Sequence, residues 1–411
     1  MDFRAFRGLR PPTELLAEVA CPPYDVVNSE EARERVAGKP RSLLHVTRPE
    51  VDLPEDVDIH ADIVYETAAS NFRRFLAAGV LQQDPAPAYY VYRLVWGSHV
   101  QTGVMGVASV DDYDRGLIKK HEHTRRDKED DRARHTDAIG ANAGPVFLAY
   151  HADTSLDGLA AAVADAPPTA EVEAEGVRHM LWAVTESAKI EAFRSAYAQV
   201  GAFYVADGHH RAASASRTRA LRQGRNQNHT GQEAYNRFLA VVFPHDQLRI
   251  LAYNRVVRDL HGLDQAAFLA AVTDRFEVAP AADASPSEPR TFRMLLGGQW
   301  YALRPRTGSF PETDPVRSLD VAILQDNLLA PVLGIGDPRT DQRIDFVGGI
   351  RGTGELERRV ARGWAVAFSL YPTSLEQLMS VADAGQVMPP KSTWFEPKLR
   401  SGLVVHSLEE G

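Results

Sequence analysis

The sequence predicts an α/β protein with mixed sheets. Three observations carry that reading. Apolar runs of strand length recur along the chain, as in Phe203-Tyr204-Val205-Ala206. Between them lie segments whose apolar residues repeat at helical spacing, as in residues 61–78. Glycine-centred turn signals, such as Gly97-Ser98 and Gly297-Gly298, join neighbouring runs.

The elements follow in order. Pro22-Pro23-Tyr24-Asp25 reads as a turn after a short apolar segment. Residues 30–36 read as a short helix. Residues 61–78 place Ile63, Val64, Ala68, Phe72, Phe75 and Leu76 near helical spacing, with Gly79 as the C-cap. Residues 88–96 read as a strand that turns at Gly97-Ser98 into 100–110. Residues 116–123 predict another strand, feeding an almost wholly charged, solvated helix over 125–134. A short strand over 145–150 and an Ala-rich helix over 156–165 come next, the helix broken by Pro167-Pro168. Residues 169–175 and 177–184 read as a hairpin about Gly176, and 190–200 as a helix. Residues 236–244 and 247–257 read as two strands of a continuing sheet. Residues 279–289, rich in Ala, Ser and Pro, read as a linker, and 294–303 as a hairpin. Residues 319–333 read as an apolar helix or helix pair around Pro331. The glycine-rich 345–352 stretch reads as a tight turn, and Thr373 or Ser374 caps a helix over 375–382. Three subdomains are expected, over residues 1–115, 116–245 and 246–411.

Composition narrows the functional classes. At 411 residues, 44% apolar and 25% charged, the chain can bury a large core. A net charge of −9 weighs against binding nucleic acid through a basic surface. Cys21 is the only cysteine, which excludes an intrachain disulfide and a cysteine zinc cage. No stretch reaches membrane-spanning length, and the N-terminus lacks a signal pattern, so a cytoplasmic location is expected.

The chemistry concentrates in Asp207-Gly208-His209-His210-Arg211, between the buried strand at 203–206 and an Ala-rich helix opening at Ala212. Gly208 permits a sharp turn there. A helix start offers unpaired N–H groups and partial positive charge, and Arg211 adds a planar fork of donors. Strand, turn, helix N-terminus and arginine together suit a phosphate group. A capping role for Asp207 is the structural alternative.

Two further clusters stand out. Lys119-Lys120-His121-Glu122-His123-Thr124-Arg125 would, on a strand, place His121 and His123 on one face and Glu122 on the other. There Glu122 can serve as a general base while Lys120 neutralises phosphate. A metal reading would bring His121 and His123 together with His209 or His210; the H-E-x-x-H zinc spacing is absent. Around Pro389-Pro390-Lys391-Ser392-Thr393-Trp394-Phe395, Lys391, Lys398 and Arg400 suit phosphates and Trp394 suits stacking on a base. The alternative is a tail strapped over the core.

These strings, with Pro22-Pro23-Tyr24-Asp25-Val26-Val27, occur in an order that resembles the family called domain of unknown function 1015. The Asp-Gly-His-His-Arg string also resembles the phosphate motif of free serine kinases, of the ParB/sulfiredoxin-like superfamily. The resemblance implies a ParB/sulfiredoxin-like nucleotide-binding domain embedded in a larger chain of several subdomains. It implies a nucleotide-dependent phosphotransferase using ATP or ADP with Mg²⁺, with free L-serine the first acceptor to consider. Asp207, Gly208, His209, His210 and Arg211 would meet the phosphates, with Lys120, Lys391 and Trp394 assisting and Asp207 a partner for magnesium. Glu122 would activate the hydroxyl; Glu30 is the competing glutamate. A non-catalytic nucleotide-binding regulator or switch is the alternative, and a homo-oligomer stays open. The tail is expected to return to the 207–211 turn.

Overall fold

The computed structural model describes residues 1–409. The chain divides into two compact units: residues 1–248 with the segment returning from Pro397, and residues 249–396. A break near residue 115 does not occur, because strands from both sides of it hydrogen-bond in one sheet.

That sheet, in the first unit, has nine strands. They are β1 (Phe3–Arg4), β2 (Tyr89–Trp96), β3 (His99–Ser109), β4 (Ile118–Lys119), β5 (Val146–Tyr150), β6 (Ala170–Ala174), β7 (Val177–Val184), β8 (Phe203–Asp207) and β9 (Arg237–Pro244). The order is β4-β8-β5-β9-β3-β2-β7-β6, with β1 paired to β3. β8 runs parallel to β4, and β9 parallel to β5; the other pairs are antiparallel. Phe3, Tyr89, Phe193, Tyr197 and Phe203 pack ring on ring beside the sheet, with Phe3 and Tyr197 edge to face at 4.8 Å. Each such buried aromatic contributes about 1.5–3 kcal/mol.

The helices of this unit are α1 (Ser29–Val36), α2 (Asp62–Ala77), α3 (Arg126–Ile139), α4 (Thr154–Ala164), α5 (Ser187–Gln199) and α6 (His209–Arg225), besides shorter turns. α1 starts in a capping box in which Asn28 accepts from Glu31 N–H and Glu31 accepts from Asn28 N–H. α3 runs past the expected end at Arg134, because Ala133, His135 and Ile139 give it a buried stripe. Arg217, Arg222 and Arg225 of α6 pair with Glu129 and Asp137 of α3, tying the two helices together.

The strand expected over 116–123 is much shorter: only Ile118 and Lys119 pair with β8, and the chain then leaves the sheet. His121 and His123 therefore share no strand face. His121 is buried and His123 exposed.

In the second unit, β10 (Tyr253–Val257), β11 (Phe276–Pro280), β12 (Phe292–Leu296), β13 (Gln299–Pro305), β14 (Ile344–Gly348) and β15 (Val366–Leu370) form an antiparallel sheet ordered β11-β13-β12-β15-β10-β14. Residues 247–257 thus do not continue the first sheet; Tyr253–Val257 pairs within the second. The 279–289 stretch is a loop inside this unit, opening from β11, not a link between units. Asp320–Leu324 is α-helical and continues as one π-helical turn, Gln325–Leu329. Ser374, not Thr373, caps the helix Leu375–Asp383. Among the described residues, no helix is long and apolar enough to cross a membrane.

From Pro397 the chain rejoins the first unit. Ser401 and Cys21 exchange backbone hydrogen bonds, and His406–Ser407 pairs with Ala141–Asn142.

Candidate functional site

Local geometry explains the 207–211 turn. Near its end β8 shifts register against β5: Val205 faces Leu148 and Asp207 faces Phe147, so Ala206 is an extra residue. A bulge of this kind re-aims the strand end. Gly208 follows with φ +89°, a left-handed conformation that a side chain would strain. A Cβ there would also lie 3.0 Å from Arg211 Nε, so the bare glycine lets the guanidinium fold back over the turn. α6 begins at once. Asp207 is not its cap: its Oδ1 accepts from Gly208 N–H at 2.8 Å, and no side chain caps the helix start. Ala212, Ala213, Ser214 and Ala215 are buried, and their small size lets the first turns of α6 lie close to the core.

The side chains converge from distant segments. Lys398 Nζ lies 3.1 Å from Asp207 Oδ2. Arg211 donates to the Pro145 carbonyl and stands 3.5 Å from Asp25 Oδ2, while its buried Nε has no partner. His210 Nε2 accepts from Arg125 N–H at 3.3 Å. His209 meets His121 edge to face, ring centroids 4.4 Å apart, and its Nδ1 lies 3.8 Å from Glu122 Oε2. Lys120 Nζ lies 4.5 Å over the Tyr113 ring.

Electrostatics sort these groups into charged and neutral. Burial alone would raise the Asp207 carboxyl, but Lys398 and Arg211 outweigh it and hold the group well below the usual carboxylate range. Burial pushes the His121 imidazole down to about 4. Burial, followed by repulsion from His121, lowers His209 strongly, and burial lowers His210. The site thus presents a carboxylate locked by cations, neutral imidazoles, an arginine with a donor to spare, and an uncapped helix start.

Magnesium does not fit Asp207 as expected. One of its oxygens is engaged by a backbone N–H and the other by an ammonium. A phosphate fits better: helix N–H groups, a glycine without a Cβ and the unpartnered Arg211 Nε all suit an anion. Arg211 also lines a cavity together with Tyr24, Arg132, His135, Asn142, Ser214 and Ser401.

Glu30 is exposed on α1. Lys391 and Trp394 belong to the second unit, where Tyr253 packs against both and Trp394 Nε1 donates to Glu396.

The family model described as "Protein of unknown function (DUF1015)" matches residues 3–322. The chain belongs to this family. No curated protein is significantly similar to it. Among solved structures, a variant of free serine kinase in complex with AMP is 12% identical, with 71% of this chain and 87% of that one covered and a TM-score of 0.36. Another variant of free serine kinase, in complex with ADP, is 14% identical over 73% of this chain and 90% of that one, with a TM-score of 0.34. A conserved hypothetical protein from Pyrococcus furiosus is 13% identical over 77% and 99%, with a TM-score of 0.35.

In this DUF1015 chain, sequence reading missed Asp25 and the Pro145 carbonyl as partners of Arg211. Asp25 ends the Pro-Pro-Tyr-Asp string, which reads as a turn; an acidic residue there was the available signal. A backbone carbonyl carries no sequence signal at all.

Proposed function

We propose that this protein is a nucleotide-dependent phosphotransferase acting on the hydroxyl of a small molecule, with free L-serine the first acceptor to test. The carrying observation is the 207–211 turn, where a bulged strand, a left-handed glycine and an uncapped helix surround the unpartnered donor of Arg211. In this reading the terminal phosphates of ATP or ADP sit against the first N–H groups of α6, and Arg211 neutralises charge developing on the transferred group. The cluster of Asp207, Lys398, Arg211 and Asp25 holds that guanidinium in place.

Glu122 takes the role of base. Its side chain is 55% exposed and close to His209, and it does not line the cavity beside Arg211. The acceptor is therefore assigned to the open side of the turn. Its hydroxyl oxygen attacks the terminal phosphorus, its proton passes to Glu122, and the bond from phosphorus to the nucleotide oxygen breaks. Mg²⁺, where required, is carried by the phosphates rather than by Asp207.

Phosphorus NMR of the protein with ATP or ADP, Mg²⁺ and L-serine tests this. A new phosphomonoester resonance matched by loss of the donor's terminal phosphate is expected. Saturable nucleotide binding with no turnover across a pool of hydroxyl compounds would instead support a nucleotide-binding regulator.

A further inference from the structure

We propose that His121, Glu122 and His209 form a binding site for a divalent transition metal of the zinc type. A ring nitrogen of each histidine and a carboxylate oxygen of Glu122 lie within 4.8 Å of one another. The two histidines are 2% and 5% exposed, so their rings are held by packing. Nδ1 of His121 is buried without a hydrogen-bond partner. A buried polar atom left unsatisfied costs about 1–3 kcal/mol, and coordination is one way to remove that penalty. The His121 ring is also hydrogen-bonded to the Val205 backbone, an outer contact of the kind that orients a ligating imidazole.

The donor set selects the metal. Two imidazoles and one carboxylate suit zinc and its neighbours, whereas magnesium prefers oxygen alone. Zinc bonds of about 2.0–2.2 Å put tetrahedral ligands roughly 3.4 Å apart. The 3.8 Å between Glu122 Oε2 and His209 Nδ1 is close to that, and Glu122, the exposed member, is the one able to adjust. Three protein ligands leave a fourth position open to water or a ligand oxygen. The sequence reading brought His121 together with His209 among its metal candidates but not Glu122, which follows His121 directly while His209 arrives from a distant strand end.

This site goes beyond the phosphotransferase reading and shares with it Glu122 and His209, the first residue of α6; Glu122 cannot take a hydroxyl proton while bound to zinc. Chelator-washed protein is titrated with Co²⁺ and then Zn²⁺, with no nucleotide present. One equivalent of Co²⁺ is expected to give a visible band of a four-coordinate ion, displaced by Zn²⁺ and untouched by excess Mg²⁺. Glu122→Ala, a change at an exposed side chain, is expected to weaken Zn²⁺ binding at least tenfold. His209→Gln should weaken it further, with a thermal melt confirming the fold; if that variant unfolds, Glu122→Ala decides. No band, or Zn²⁺ affinity unchanged in the folded variants, overturns the site. Because the readout needs no nucleotide, failure of phosphoryl transfer leaves this result standing, and the reverse.

Discussion

Lys398→Met isolates the contact that ties the returning tail to the 207–211 turn. The ammonium lies 3.1 Å from Asp207, and the two side chains are 22% and 29% exposed. At that distance, with an effective dielectric of about 20, the attraction is roughly 5 kcal/mol before desolvation. Desolvation of both ions offsets most of it, but removing the lysine alone leaves a carboxylate whose remaining compensation is Arg211 and the Gly208 N–H. A loss of about 2 kcal/mol follows, equivalent to a Tm lower by about 4–8 °C for a unit of this size. Asp207→Asn in the same background should recover part of the loss, with a coupling energy of about 1 kcal/mol or more. The sign with pH is also set. The carboxyl is held below its unfolded value near 3.9, so its contribution is complete above that value and disappears as pH falls beneath it. Lys398→Met should flatten this acid limb. Urea unfolding of the four proteins of the cycle, at neutral pH and near pH 3, measures both effects. Additive single effects with an unchanged acid limb would refute the argument that the pair is energetically coupled.

Arg211→Lys keeps the charge and loses the planar fork, so calorimetry should show a folded protein with nucleotide affinity lowered about 10- to 100-fold; unchanged affinity removes Arg211 from the phosphate site. Glu122→Gln should lower kcat about a hundredfold with little change in nucleotide affinity, whereas a fully active variant beside an inactive Glu30→Gln transfers the base role to α1. The buried imidazoles of His135 and His406 are each pushed down to about 4. Since the unfolded chain takes up those protons first, stability should fall as pH drops from about 6.5 to 4, by about 3 kcal/mol for each histidine at the lower end. Denaturant midpoints at pH 7 and 5 that coincide would contradict their burial as neutral rings.

What the sequence determined by itself is local. An apolar strand, a glycine and an Ala-rich helix within a dozen residues specify the 207–211 turn, because backbone freedom and helix periodicity act between near neighbours. The hairpins at Gly97-Ser98 and Gly297-Gly298 were legible for the same reason. Tertiary structure decided the rest. Periodicity names strands without naming partners, so it could not show that β8 lies between β4 and β5 or that 253–257 joins a different sheet from 237–244. It placed His121 and His123 on one face by assuming a strand that ends, in fact, at Lys119. The charges that set the site's electrostatics come from Asp25 and Lys398, separated from their partners by 186 and 191 residues. Such pairs form because the chain must bury its apolar faces. The polar groups then meet wherever that burial brings them, and a pattern read along one segment does not contain that information.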